Sequence, residues 1–186
     1  VGKSGLIASK LAATFSSVGT PSFHISASDC SHGDLGSIKK DDCVIAISNS
    51  GETSELNNII QFTKRFNIKL ISITSNSKSI LHKNATVGIL YKKPIEACPL
   101  NLAPTSSTSM SMIIGDCIAI VLLELRGFKS NEFKRLHPGG NLGKDLKNLG
   151  EIMHPKKELP LAKLDEKMSK ALITMTKKSF GCIGVI

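Results

Sequence analysis

Aromatic side chains are scarce in this 186-residue chain, at 4% with one Tyr and no Trp, so a stacking platform for single-stranded nucleic acid is poorly supplied. Metal-ligand and dithiol spacings are missing as well. The five cysteines, Cys30, Cys43, Cys98, Cys117 and Cys182, are far apart and form no C-x-x-C pair, which offers neither a zinc site nor a redox motif. Reduced thiols in a cytoplasmic protein are the simplest reading. The longest apolar run, Ile118 to Leu123, falls far short of the roughly 20 residues a membrane helix needs. With no signal peptide either, no membrane association is expected. Acidic residues are in deficit, 15 Asp+Glu against 24 Lys+Arg for a net charge of +9. That balance suits an anionic ligand, from a sugar phosphate to nucleic acid, but the basic residues are spread out rather than massed.

What is present is an ordinary globular composition, 41% hydrophobic and 21% charged, long enough for one substantial core and a smaller second unit. The chain opens at Val1 without a methionine and stops at Ile186 inside an apolar run; a fragment cut at both ends is the expectation. The most informative stretch runs from Cys43 to Glu55. Four apolar residues, Val44 to Ile47, suit a buried parallel strand, and Ser48-Asn49-Ser50-Gly51 must turn the chain before a helix begun by Thr53 or Ser54. The first turn of such a helix has unpaired N–H groups and the positive end of its dipole, which favours an anion. Ser48, Ser50 and Thr53 add hydroxyls that suit phosphate oxygens. The plainer alternative is a strand-to-helix turn with a Ser/Thr cap.

Elsewhere the chain alternates strand and helix. Val1 to Gly5 reads as a glycine-punctuated loop before a helix from Leu6 to Ser17; Lys3 there is either a solvated charge or a ligand contact. Ser22 to Ser26 alternates like a short strand. The polar segment Ser28 to Gly36 reads as a capped turn, with His32 either a site residue or a histidine bonded to backbone. A helix Ser54 to Phe66 is predicted to bury Leu56, Ile59, Ile60 and Phe62 or Thr63. Strand Ile68–Thr74, a short helix Ser77–His82 and strand Val87–Tyr91 follow. The class is therefore α/β, a doubly wound parallel-sheet α/β/α sandwich. Ligands in such sheets lie at the carboxyl ends of the strands, so the loops from Lys3, Ser26, Ser48, Thr74 and Lys92 are expected on one edge. The hydroxyls after Pro104, including Thr105 and Ser106, either start the apolar helix Ser109–Leu125 or line a site near Glu96. His137 stands on a Pro/Gly loop, and near residue 147 the pattern changes.

Taken in order, Gly2-Lys3-Ser4-Gly5, Ser48-Asn49-Ser50-Gly51-Glu52-Thr53, Glu96-Ala97-Cys98-Pro99, Pro104-Thr105-Ser106-Ser107-Thr108 and His137-Pro138-Gly139-Gly140 resemble the sugar isomerase (SIS) domain of bacterial D-arabinose-5-phosphate isomerases. The resemblance covers residues 1–146, and 147–186 resembles the first half of a CBS module. It implies interconversion of D-ribulose 5-phosphate and D-arabinose 5-phosphate for Kdo and lipopolysaccharide synthesis, by a cytoplasmic homotetramer with no metal or organic cofactor. The family's proposed catalytic residues fall on Lys3, Glu55, Glu96 and His137. Substrate and phosphate contacts are expected from Ser4, Ser48, Ser50, Thr53, His32, Thr105 and Ser106. Before His32 the family usually carries His-Pro-Gly-Glu where this chain has Ser26-Ala27-Ser28-Asp29.

An aldose–ketose isomerisation needs a base of tuned pKa, a shuttle for hydroxyl protons and stabilisation of the enediolate oxygen. Glu96 and Glu55 rank equally as base, with His137 as shuttle or alternative base and Lys3 on the oxygen. The rival readings are a non-catalytic phosphosugar-binding SIS regulator and an SIS isomerase of another sugar phosphate. A P-loop nucleotide binder ranks last, because no second, magnesium-holding motif is apparent.

Overall fold

A computed structural model describes residues 1–138 and 148–186. They form two compact units, Val1–His137 and Pro138–Ile186. The expected boundary near residue 147 and the loop from Gly139 onward lie outside the described residues.

The first unit is built on three parallel strands, β1 (Cys43–Ile47), β2 (Lys69–Thr74) and β3 (Val87–Leu90), ordered β1-β2-β3. The register runs from Cys43 opposite Lys69 to Ile47 opposite Ile73, and from Ile71 opposite Val87 to Thr74 opposite Leu90. Because side chains alternate across a strand, each strand feeds two cores. Ala46 and Leu70 face helix α2 (Asn57–Arg65) and the short α3 (Ile80–Asn84), packing on Leu56, Ile59, Ile60 and Leu81. Ile47 and Ile73 face α1 (Gly2–Ser17) and α4 (Ser106–Leu125), packing on Leu11, Phe15 and Ala119. The result is a parallel α/β sandwich with helices on both faces. Within these three strands the order does not reverse; the two windings show only as α1 with α4 on one face and α2 with α3 on the other.

Several predicted elements are corrected. Helix α1 begins at Gly2 rather than Leu6, because the Gly5 N–H already bonds the Val1 carbonyl at 3.2 Å; Lys3 and Ser4 therefore stand in a helix's first turn, not a loop. Ser22–Ser26 pairs with no described strand: Ser22 is tied to the Ser16 hydroxyl instead, and Phe23 is 59% exposed. In the helix after β1 Thr63 is the buried one of the two alternatives, and a 3-10 turn, Ser54–Leu56, precedes α2. Thr53 does not cap that turn with its side chain. Ser28–Gly36 forms two 3-10 turns, Asp29–His32 and Asp34–Ser37, joined by Gly33 at φ 117°.

Helix α4 is the long element of the other face. It buries a stripe at i, i+4 spacing, Ser107, Ser111, Gly115 and Ala119. At Gly115 an added Cβ would run into the Leu11 side chain of α1, so a larger residue here would require Leu11 to repack. Lys10 and Asp116 pair across the same contact. At 20 residues and mean hydropathy 1.8 it is long and apolar enough to cross a membrane, a length the run Ile118–Leu123 alone did not suggest. Its packing on α1 and the sheet accounts for the buried stripe. Helix α5 (Ser130–Leu136) ends the unit, its start tied by Glu132 accepting from the Lys129 N–H at 2.8 Å.

In the second unit β4 (Leu161–Ala162) pairs in parallel with β5 (Gly184–Val185), and the helix Met168–Lys178 connects them. The strand predicted for Cys182–Ile186 is thus only two residues long.

Candidate active site

At the carboxyl ends of the strands of the first unit lies a cleft of about 440 Å³. One wall is the loop after β1 with Lys3 and Ser4 of α1. The other is the segment after β3, contributing Lys93, Glu96, Asn101 and Leu102, and the start of α4 at Pro104 and Ser107. The loops from Ser48 and Lys92 therefore meet as predicted, with Lys3 beside them on the first turn of α1, whereas the segment from Ser26 contributes no lining residue. The loop after Thr74 supports them from behind, with Asn76 Nδ2 donating to the Ser50 carbonyl at 3.1 Å.

The loop after β1 is shaped by its own hydroxyls. Ser48, 4% exposed, accepts from the Gly51 N–H at 3.0 Å, and its Oγ lies 2.8 Å from Thr53 Oγ1. Ser50 accepts from the Glu52 N–H at 3.3 Å and is itself exposed. Ser48 and Thr53 thus set the curvature, while Ser50 stands on the rim. Lys3 and Lys93 put two positive charges on the lining against one carboxylate, Glu96. That is an anion-attracting balance.

Glu96 is the most constrained ionisable group there. Its Oε2 accepts from the Thr105 N–H at 2.7 Å, the Thr105 hydroxyl at 3.0 Å and the Ser107 N–H at 3.3 Å. A carboxylate so placed caps the first turn of α4, where N–H groups lack helical partners. The Ser107 hydroxyl and the Thr105 N–H favour the ionised form and hold its pKa down to about 2. Thr105 also accepts from the Ala97 N–H at 2.8 Å, and so clamps the Glu96 segment rather than lining the cleft.

Lys3, Ser4, Ser48, Ser50, Thr53 and Glu96 are thereby brought together. The other predicted residues are not. Neither Thr105 nor Ser106 lines the cleft, and Ser107 does so in their place. Glu55 lies outside the cleft; its own backbone N–H and the Ser54 hydroxyl, 2.9 Å away, hold its pKa below the usual carboxylate value. His32 is exposed on its 3-10 turn, which is pinned to α2 by Asn58 donating to Ser31 at 2.7 Å. His137 follows α5, stacked on Phe133 at 3.9 Å with Nδ1 2.9 Å from the Phe133 carbonyl. Sequence reasoning missed Asn49, Lys93 and Asn101 as lining residues, whereas Ser107 belongs to the hydroxyl run expected either to start the helix or to line a site near Glu96. Of those missed, only Asn49, flanked by two serines already singled out, carried a signal.

Residues 1–121 match the model of the SIS domain. The chain is 46% identical to the arabinose 5-phosphate isomerase KdsD of Pseudomonas aeruginosa, over all of this chain and 57% of that protein. Against the arabinose 5-phosphate isomerase KdsD of Escherichia coli strain K12 it is also 46% identical, over 97% of this chain and 56% of that one. The chain therefore spans little more than half the length of these relatives. A protein of Escherichia coli CFT073 solved in complex with arabinose 5-phosphate superposes with a TM-score of 0.71 and 44% identity, covering 74% of this chain and 73% of that one.

Proposed function

The chain belongs to the SIS domain family, and from that premise we propose that it is the isomerase portion of an enzyme interconverting D-ribulose 5-phosphate and D-arabinose 5-phosphate through an enediol. The observation that carries this reading is one cleft holding both the hydroxyl-lined loop Ser48–Thr53 and the ionised Glu96. Its volume of about 440 Å³ suits a small phosphorylated sugar. The relatives named arabinose 5-phosphate isomerase and the neighbour solved with arabinose 5-phosphate support the choice of sugar.

In this reading the phosphate lies against Ser48, Ser50 and Thr53, countered by Lys93. The reaction moves a proton between adjacent carbons and another between their oxygens. Lys3 is assigned to the oxygen that gains charge. Glu96, whose Oε2 is occupied by the start of α4, takes a substrate hydroxyl on Oε1. A carboxylate with a pKa of about 2 is a weak base toward carbon, so the base role that the sequence divided between Glu96 and Glu55 moves to His137. Facing a carbonyl, His137 Nδ1 must donate, which leaves the lone pair of the neutral ring on Nε2. His137 is absent from the cleft of its own chain, so the reading requires a neighbouring copy in a homo-oligomer, a tetramer, to deliver it. His32 is the other candidate for such delivery. The second unit is read as the first half of a CBS module, supported by its parallel strand-helix-strand order, and the enzyme as a cytoplasmic one supplying Kdo synthesis.

The test is to mix the purified protein with D-ribulose 5-phosphate and follow D-arabinose 5-phosphate. Conversion approached from both sides is expected, with Glu96→Gln slowing it at least tenfold. Binding of the sugar phosphate without turnover would instead make the chain a phosphosugar sensor.

A further inference from the structure

Tyr91, the chain's single tyrosine, has no part in the chemistry above. It follows β3 and is 8% exposed, packed in the core shared with α1 and α4. Its hydroxyl leaves that core toward the cleft: Oη donates to Asn49 Oδ1 at 3.0 Å and lies 3.4 Å from Ser111 Oγ of α4. Ser111 in turn donates to the Ser107 carbonyl at 3.0 Å. A phenol has one proton to give, and the shorter contact, to Asn49, takes it. Burial raises the Tyr91 pKa, which keeps that proton in place.

Asn49 is anchored on its other acceptor too. Its backbone carbonyl receives the Ser75 N–H at 3.1 Å, the Ser75 hydroxyl at 2.7 Å and the Thr74 hydroxyl at 3.2 Å. With both oxygens engaged by the protein, Nδ2 is the side chain's remaining hydrogen-bonding group, and Asn49 lines the cleft between Ser48 and Ser50. The two ends of an asparagine amide are nearly equal in shape but opposite in polarity. Turned round, the same side chain would present an acceptor oxygen to an anion.

We propose that Tyr91 is a positioning residue: by holding Asn49 Oδ1 from the core side, it aims the Asn49 amide N–H groups into the cleft as donors to the bound sugar phosphate. This rests on the reading that the cleft takes a phosphorylated sugar. Because the donor acts on a group that does not react, its loss weakens binding and leaves kcat unchanged.

Calorimetric titration of the full chain with D-arabinose 5-phosphate, and separately with inorganic phosphate, tests this in Tyr91→Phe, Asn49→Ala and the double variant. Tyr91→Phe keeps the ring in the core and is expected to weaken binding about three- to tenfold, the range of one net hydrogen bond. KM should rise by the same factor. The double variant should bind no more weakly than Asn49→Ala alone, because Tyr91 acts only through Asn49. Wild-type affinity in Tyr91→Phe, or a double variant whose loss is the product of the two single losses, overturns the proposal. Asn49→Asp gives a check that leaves the core untouched. It replaces the donor end by an acceptor and should bind more weakly than Asn49→Ala; wild-type affinity there also overturns it. Wild-type protein that bound phosphate but not D-arabinose 5-phosphate would remove the substrate assignment and leave the Tyr91 series readable. Binding of neither overturns both.

Discussion

Gly51→Ala should be among the most damaging single-methyl changes in the first unit. Gly51 has φ 68°, a left-handed conformation that costs an L-residue ~1–2 kcal/mol. There is also no room. A Cβ at this position would meet the Ser79 hydroxyl, lie 2.5 Å from Ser79 Cβ and 2.9 Å from Thr74 Oγ1. Neither neighbour can step aside. Ser79 is fully buried; its Oγ donates to the Asn76 carbonyl at 2.7 Å and caps α3 by accepting the His82 N–H at 3.2 Å. Thr74 is fully buried and holds the Asn49 carbonyl. Overpacking of this kind costs ~1–3 kcal/mol, and displacing the Ser79 cap adds ~1 kcal/mol. A loss of about 3–6 kcal/mol is therefore expected, a large part of the roughly 5–15 kcal/mol that keeps a domain folded. The change also pushes on the Ser48 contact at 3.0 Å, so phosphate affinity should fall with stability. Urea unfolding at unchanged m-value reads the first and calorimetry the second. Gly36→Ala is the control: its Cβ meets nothing within 4 Å, and it should stay within about 0.5 kcal/mol of wild type. A Gly51→Ala protein that lost less than about 1 kcal/mol and bound phosphate normally would refute the claim that this glycine dictates the loop.

The cap on α4 should be visible as a pH dependence. The Glu96 carboxyl is depressed from 4.5 to about 2 in the folded chain, so its stabilisation is complete above the unfolded value and disappears as pH falls from 4.5 toward 2. The Tm gap between wild type and Glu96→Gln should close over that window; a gap unchanged at pH 2.5 would mean that the ionised carboxylate does not hold the helix. Delivery of His137 by a neighbouring copy predicts complementation. Two weak variants, His137→Ala and Glu96→Gln, should regain activity when mixed under subunit exchange, and a mixture no better than its parts would return His137 to its own chain.

Most of the scaffold was legible because it follows from periodicity and from parallel strands buried on both faces. Val44 to Ile47 and Ile68 to Thr74 read as strands since their alternate residues serve two different cores. The errors fall where a local pattern had a competing partner. Gly2 and Gly5 read as loop, yet an i to i−4 bond from Gly5 to Val1 makes them a helical turn. Ser22 to Ser26 alternates like a strand without finding a described strand to pair with. Between the two alternatives left open for the last buried position of that helix, Thr63 faces the core, its hydroxyl satisfied by the Ile60 carbonyl at 3.0 Å.

At the site, the sequence indicates which residues of one loop stand together, whereas contacts made from distant parts of the chain are not written in it. Ser48, Ser50 and Thr53 lie close together on one loop, so their convergence is nearly guaranteed by the turn. Tyr91 and Asn49 are 42 residues apart and meet only because β3 ends beside β1's loop across β2. Glu96 shows the other limit. A carboxylate beside a hydroxyl-rich helix start can be read as a base served by those hydroxyls or as an acceptor for them, and sequence order favours neither. The three hydrogen bonds to Oε2 and the pKa of about 2 decide for the acceptor. A group that stabilises its own ionised form this strongly has given up basicity for position. In the proposed isomerisation Glu96 is then suited to hold a substrate hydroxyl rather than to take a proton from carbon, and the base role passes to His137.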